Sequence, residues 1–147
     1  MMRGIIHKLE DQRGAAAVEF AIILPLLLVF LFGIIEFSIM FYDKAVITNA
    51  SREGARAGIV FDNPRISATQ IQSVVQDYAE NRLITFGTPD LQIPSPTICS
   101  ASGDELVVTV SYNYEFLIIP GLLTSFFSGG AFGEDTTMEA RTIMRCE

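Results

Sequence analysis

Arg13-Gly14-Ala15-Ala16-Ala17-Val18-Glu19-Phe20 opens an apolar run that continues to Tyr42. From Phe20 to Ile35 no side chain is charged, and Glu36 is the one charge before Asp43. A helix needs about 20 apolar residues to cross the hydrocarbon core of a bilayer, and this run has that length. A buried core helix is the alternative, but such helices are usually shorter, and no comparable apolar partner follows. A secretory signal would place its small-residue cleavage site after the apolar region. Here Ala15-Ala16-Ala17 precede it, so the expectation is a membrane helix retained in the mature protein.

Glu19 is the unusual residue in this run. A charge at mid-bilayer costs about 2.5–3.5 kcal/mol on insertion scales, so it needs a partner or a reason. If the chain were cut after Gly14, Ala15 would carry a new positive amine about 6 Å along the helix axis from Glu19. A carboxylate in a first turn also suits the positive end of the helix dipole. Glu19 could pair with its own amine or with that of a neighbouring chain. Alternatively it is interfacial and reaches into the headgroups.

Gly14 followed by Glu19 has the spacing of a type IV prepilin cleavage site, with glycine last in the leader and glutamate fifth in the mature chain. The longer string resembles the TadE-like family. It comprises Gly14-Ala-Ala-Ala-Val-Glu-Phe-Ala-Ile-Ile-Leu-Pro25, Phe32-Gly33-Ile34-Ile35-Glu36-Phe37 and Thr48-Asn49-Ala50-Ser51-Arg52-Glu53-Gly54-Ala55-Arg56. Members of that family are pilin-like components of the tight-adherence (Tad, or Flp) pilus system, and the resemblance covers about the first third of the chain. It implies an inner-membrane pseudopilin or minor pilin, cut by a prepilin peptidase between Gly14 and Ala15, with Glu19 and Phe20 in assembly and recognition. It also implies other pilin-like subunits and the Tad assembly machinery as partners. The chain departs from many type IV pilins in having Ala15, not Phe or Met, after the expected cut.

The chain is long enough for one small domain beyond the helix. The expected organisation is a cytoplasmic leader over 1–14, a transmembrane helix over 15–42, a helix extension over 43–60 and a small α+β extracytoplasmic domain over 61–147. Formal net charge is -7. The leader holds Arg3, Lys8 and Arg13 against Glu10 and Asp11, so the acidity lies beyond it. An acidic exterior argues against nucleic-acid binding. Basic residues in the leader favour a cytoplasmic N-terminus, although Lys44, Arg52 and Arg56 flank the other end.

His7 is the one histidine. Removal of the leader would leave none, which excludes His-based general-base, triad and metal schemes in the mature chain. No phosphate loop or metal-spaced cluster appears, so no cofactor, metal or small-molecule substrate is expected. Asp104-Glu105 and Glu134-Asp135 read as turn residues. Cys99 and Cys146 allow one intramolecular pairing. A periplasmic setting would permit that disulfide; the alternative is two buried thiols too far apart to bond.

Pro25 removes a backbone donor inside the helix, which implies a mild kink or a soft point. Beyond the membrane, Ala45, Asn49, Ala50, Gly54, Ala57 and Gly58 form a small-residue stripe at helical spacing. Gly54 and Gly58 suit close packing, with the domain's own sheet or with a partner helix. Arg52, Glu53 and Arg56 should face away. Asp62-Asn63-Pro64 ends this helix. Ser67 and Gln70 form a capping box for a second helix over 67–84. Pro94 and Pro96 confine any strand in 90–100 to a sheet edge. Residues 104–118 alternate as a strand with Leu106, Val108, Val110, Tyr112, Tyr114 and Phe116 on one face. Residues 136–146 repeat the pattern and should pair antiparallel with it.

The expected fold is therefore α+β: a long N-terminal transmembrane helix, a second helix and an antiparallel sheet of about three strands. Between the two long strands, Leu122, Leu123, Phe126 and Phe127 make a glycine-rich segment apolar. They read either as a docking or membrane-dipping loop or as aromatics folded back over the sheet. Two functions stay open at this point. One is a structural subunit of Tad pilus assembly. The other is an unprocessed single-pass anchor whose outer domain binds a partner through residues 120–133. An enzyme is the third class, and no motif invites it.

Overall fold

The computed structural model describes residues 3–85, 90–116 and 135–147. One helix, α1 (Arg3–Ile59), runs for 57 residues and passes through Pro25. A second helix, α2 (Ala68–Glu80), follows, and then three strands: β1 (Leu91–Gln92), β2 (Glu105–Glu115) and β3 (Asp135–Arg145). The sheet order is β1-β2-β3, with both pairings antiparallel. The architecture is α+β, as the patterning indicates.

Residues of α1 fall into two environments. Along its first half, Phe20, Ile22, Leu26 and Phe30 are all more than half exposed. This helix is long and apolar enough to cross a membrane. A helix is the form that satisfies every backbone group within its own segment, as lipid requires. The second half carries the domain. Ile47, Ala50 and Ala55 are fully buried against Ile71, Val75 and Ala79 of α2 and Leu106, Val108 and Val110 of β2.

The two long strands run in opposite senses along α1. Leu106 of β2 lies over Gly58, Val108 lies near Gly54, and the Tyr114 hydroxyl reaches the Glu36 carbonyl. On β3, the Glu139 carbonyl accepts from Lys44 Nζ, Thr142 Oγ1 lies 2.7 Å from Ser51 Oγ, and Glu147 N–H donates to the Ile59 carbonyl. The C-terminal end of β2 and the N-terminal end of β3 therefore lie together beside residues 36–44. The opposite ends lie beside the C-terminus of α1.

Three local details refine the sequence reading. The Ser67–Gln70 capping box is present, but α2 stops at Glu80 and not at residue 84. Leu83 turns into the core and the Ile84 N–H is taken by Asp43 Oδ1 at 2.9 Å, which ends the helical path. Second, the buried stripe of α1 is narrower and shifted. Ala45 and Asn49 are exposed, whereas Val46, Ile47, Ala50 and Ser51 face inward, because the sheet and α2 approach from one side. Third, β1 is two residues long; beyond it the Thr97 N–H bonds the Val107 carbonyl along the same edge of β2. Leu122, Leu123, Phe126 and Phe127 lie outside the described residues.

Gly54 and Gly58 sit where α1, α2 and β2 meet. A Cβ at Gly58 would lie 2.6 Å from Leu106 Cδ2 and 2.9 Å from Ile71 Cδ1; one at Gly54 would overlap Val75 Cγ2. Glycine in a helix interior costs about 1 kcal/mol relative to alanine, whereas overpacking a tight core costs about 1–3 kcal/mol. The steric term should win. Gly54→Ala is expected to lower the thermal midpoint of the detergent-solubilised protein despite its better helix propensity. An unchanged or raised midpoint would show that the contact yields easily.

Candidate functional site

The residues singled out for processing and assembly lie on the uncovered half of α1. Beyond its own helix backbone and chain neighbours, Gly14 has no described heavy atom within 4 Å of where a Cβ would stand. Ala15 and Glu19 are exposed, and Phe20 is 62% exposed. The junction between Gly14 and Ala15 is helical, and α1 begins upstream at Arg3. Glu19 is thus well inside the helix of the uncut chain. Loss of residues 1–14 would make it a first-turn acid, where a carboxylate favours the helix dipole. The site can be described simply: one carboxylate displayed near the start of an apolar helix that no other described part of the chain covers.

Residues 14–56 match the TadE-like protein family. The match begins at the glycine of the junction and ends within the last turn of α1. The matched segment is thus the apolar, exposed part of α1 together with most of the stripe on which the domain packs; α2 and the sheet lie beyond it. The match supports a pilin-like component associated with a Tad pilus. No curated protein and no solved structure matches the chain.

The other singled-out residues belong to the domain and not to this junction. Gly54 and Gly58 form the close contact described above. Cys99 and Cys146 are joined as a disulfide, with a Cα–Cα distance of 5.8 Å and 47 residues between them in sequence. The Gly58 carbonyl lies 3.4 Å from Cys99 Sγ, so the bridge clasps the far end of α1. The turn that presents it is ordered by Asp104, whose Oδ2 accepts from Ser100 and Ala101 N–H groups at 3.0 and 2.7 Å. Gly103 supplies the positive φ of 94° in that turn. Arg65 adds a second clasp, donating from Nη2 to the Glu147 carbonyl at 2.7 Å. Arg56 and Glu53 form an exposed pair at 3.5 Å, a contact of little energetic weight. Among the described residues no group of His, Cys, Asp or Glu is placed to hold a metal ion.

Sequence patterning missed two buried acids on α1. Glu36 is 2% exposed and Asp43 fully buried. The signal was available, since Glu36, Asp43 and Ala50 follow one another at heptad spacing and so share one helix face. Asp43 Oδ1 accepts from Ile84 N–H, while Oδ2 has no hydrogen-bond partner. Burial raises the Asp43 pKa above the usual carboxylate value, against the smaller opposing effect of the Ile84 hydrogen bond. Nearby, burial pushes the Tyr114 hydroxyl up to about 12, with the charges of Glu36 and Asp43 adding to it.

Asp43 therefore carries a pH signature. The folded state keeps its proton to higher pH than the unfolded chain does. Below the ordinary value of 3.8 both states are protonated and no difference arises. As pH rises from there through the raised folded value, the unfolded state loses the proton first, so stability falls. Asp43→Asn removes this component. Its thermal midpoint is expected to gain on that of the wild type as pH rises, then hold a constant lead; curves that run parallel from pH 3 upward would count against it.

Proposed function

We propose that this chain is a minor pilin or pseudopilin of a Tad pilus system, a structural subunit with no catalytic role. It is inserted in the inner membrane through α1, with residues 1–14 cytoplasmic and the domain periplasmic. A prepilin peptidase cuts between Gly14 and Ala15, and the subunit then assembles with other pilin-like chains through the exposed part of α1.

The observation that carries this reading is the junction itself. Gly14 and Glu19 stand at the head of an apolar helix whose membrane-length stretch holds no buried residue among the described residues. An anchor needs only lipid around such a helix. A carboxylate retained inside it calls for a partner, and a freed amine at Ala15, on this chain or the next, has the charge and position to be one. Glu19 then fixes the axial register of one subunit on another, because any other register leaves it unpaired among apolar side chains. The acidic composition supports a subunit that does not bind nucleic acid.

Intact mass and N-terminal sequencing of the protein from its native membrane test the processing step. The expected chain begins at Ala15; a chain beginning at Met1 would leave α1 as a plain anchor and remove the amine that Glu19 requires. The assembly step has a separate test. Glu19→Gln is expected to insert normally but to lose piliation, whereas wild-type piliation in that variant would reject the register role.

A further inference from the structure

We propose that the domain rests directly on the lipid headgroups, with Glu36 marking the level at which α1 leaves the hydrocarbon and the Tyr114–Phe116 end of the sheet facing the bilayer. The membrane span is then 15–35, shorter than the apolar run suggests. This goes beyond the pilus reading and rests only on α1 crossing a membrane.

Three observations converge on it. The first is where the domain begins. The Tyr114 hydroxyl donates to the Glu36 carbonyl at 3.3 Å, and the Phe116 ring meets the Phe37 ring edge-on at 6.3 Å. Tyr114 and Phe116 themselves pack edge-on at 5.3 Å. Just before this level the helix surface is bare, with Phe30 68% and Ile34 53% exposed. No linker separates the uncovered helix from the packed domain.

The second is length. The rise from Ala15 to Ile35 is about 30 Å at 1.5 Å per residue, which matches a hydrocarbon core of about 30 Å. A span reaching Tyr42 would rise about 40 Å. It would draw the end of β2, including the exposed Glu115, into the hydrocarbon. An ionised side chain there costs several kcal/mol.

The third is side-chain chemistry at the proposed level. Phe41 and Tyr42 are 66% and 46% exposed. They stand about 8–9 Å above Glu36 along the helix, within or at the edge of the headgroup zone where aromatic residues collect. Exposed aromatics that would be a liability in water are at home there. In sequence, the stretch 117–133 between the two long strands contains no charged residue. At the other end of the domain, Ile59 lies about 35 Å from Glu36 along the helix.

The protein has no tryptophan, so single-tryptophan variants of the full chain give a clean readout in phosphatidylcholine vesicles. Phe116→Trp and Phe41→Trp are expected to be quenched severalfold more strongly by a headgroup-attached nitroxide than Phe61→Trp at the distal end. Phe41 is two-thirds exposed and outside the buried core, so its variant reports even where Phe116→Trp fails to fold. Equal, weak quenching of Phe41→Trp and Phe61→Trp would overturn the proposal. So would stronger quenching of Phe116→Trp by a mid-chain nitroxide than by the headgroup one. Leu27→Trp separates the two levels of the argument. If the mid-chain nitroxide quenches it while Phe41→Trp stays unquenched, α1 spans and only the seating is wrong; if Leu27→Trp is itself unquenched, the membrane reading fails with it.

Discussion

The close approach of β2 and α2 to α1 at Gly54 and Gly58 is the contact on which the rest of the structure depends. Without side chains at those positions, Leu106, Ile71 and Val75 reach the helix backbone itself. That contact holds α2 and the sheet against one side of α1. It also sets the direction of β2, whose Leu106 end is held at Gly58 while its Tyr114 end falls at Glu36. Because β3 pairs with β2 in continuous register from Glu105↔Arg145 to Glu115↔Asp135, its position follows. The disulfide and the Arg65–Glu147 hydrogen bond then fasten the far end, where the C-terminal residues would otherwise fray.

One helix thus has a packed half and an exposed apolar half, and different forces act on the two. Beyond Glu36, burial of Ile47, Ile71, Val75, Leu106, Val108 and Val110 contributes hydrophobic stabilisation of roughly 1.5–3 kcal/mol per large side chain. Before Glu36, lipid tails are as apolar as leucine, so there is no comparable drive for the span to pack on its own domain. The bare half of α1 is therefore not an unfinished core. In the proposed membrane setting its partner is lipid or another helix, and specificity there has to come from polar groups and shape. Glu19 is such a polar group, and it lies at the same junction as the cleavage-type glycine.

Glu36 and Asp43 show how the two halves are joined. Both fall on the helix face that becomes the core stripe, where leucine or alanine would pack more cheaply. Asp43 uses one oxygen to hold the chain leaving α2 and keeps the other buried without a hydrogen bond. The cost of burial shows in its raised pKa. In return, the start of the domain is tied to a particular turn of α1, just where an apolar stripe alone would let the sheet slide along the helix.

Much of this was legible in the sequence. The apolar run with its junction glycine and glutamate determined a membrane-length helix and a resemblance to the TadE-like family. The period-2 alternation of residues 104–118 determined a one-sided strand, and Ser67 with Gln70 determined the start of α2. These are local properties: side-chain period and capping chemistry act within a few residues. The tertiary structure alone decided which side of α1 is buried, why α2 stops at Glu80, that Cys99 meets Cys146, and that the Tyr114 hydroxyl reaches α1 as far back as Glu36. Each of these depends on residues far apart in the chain. Tyr114 must reach Glu36, and Ile84 must reach Asp43, before an apolar helix can be divided into the part the domain covers and the part it leaves exposed. Leucine, isoleucine and phenylalanine serve both environments equally well, so their presence in a sequence does not mark the boundary.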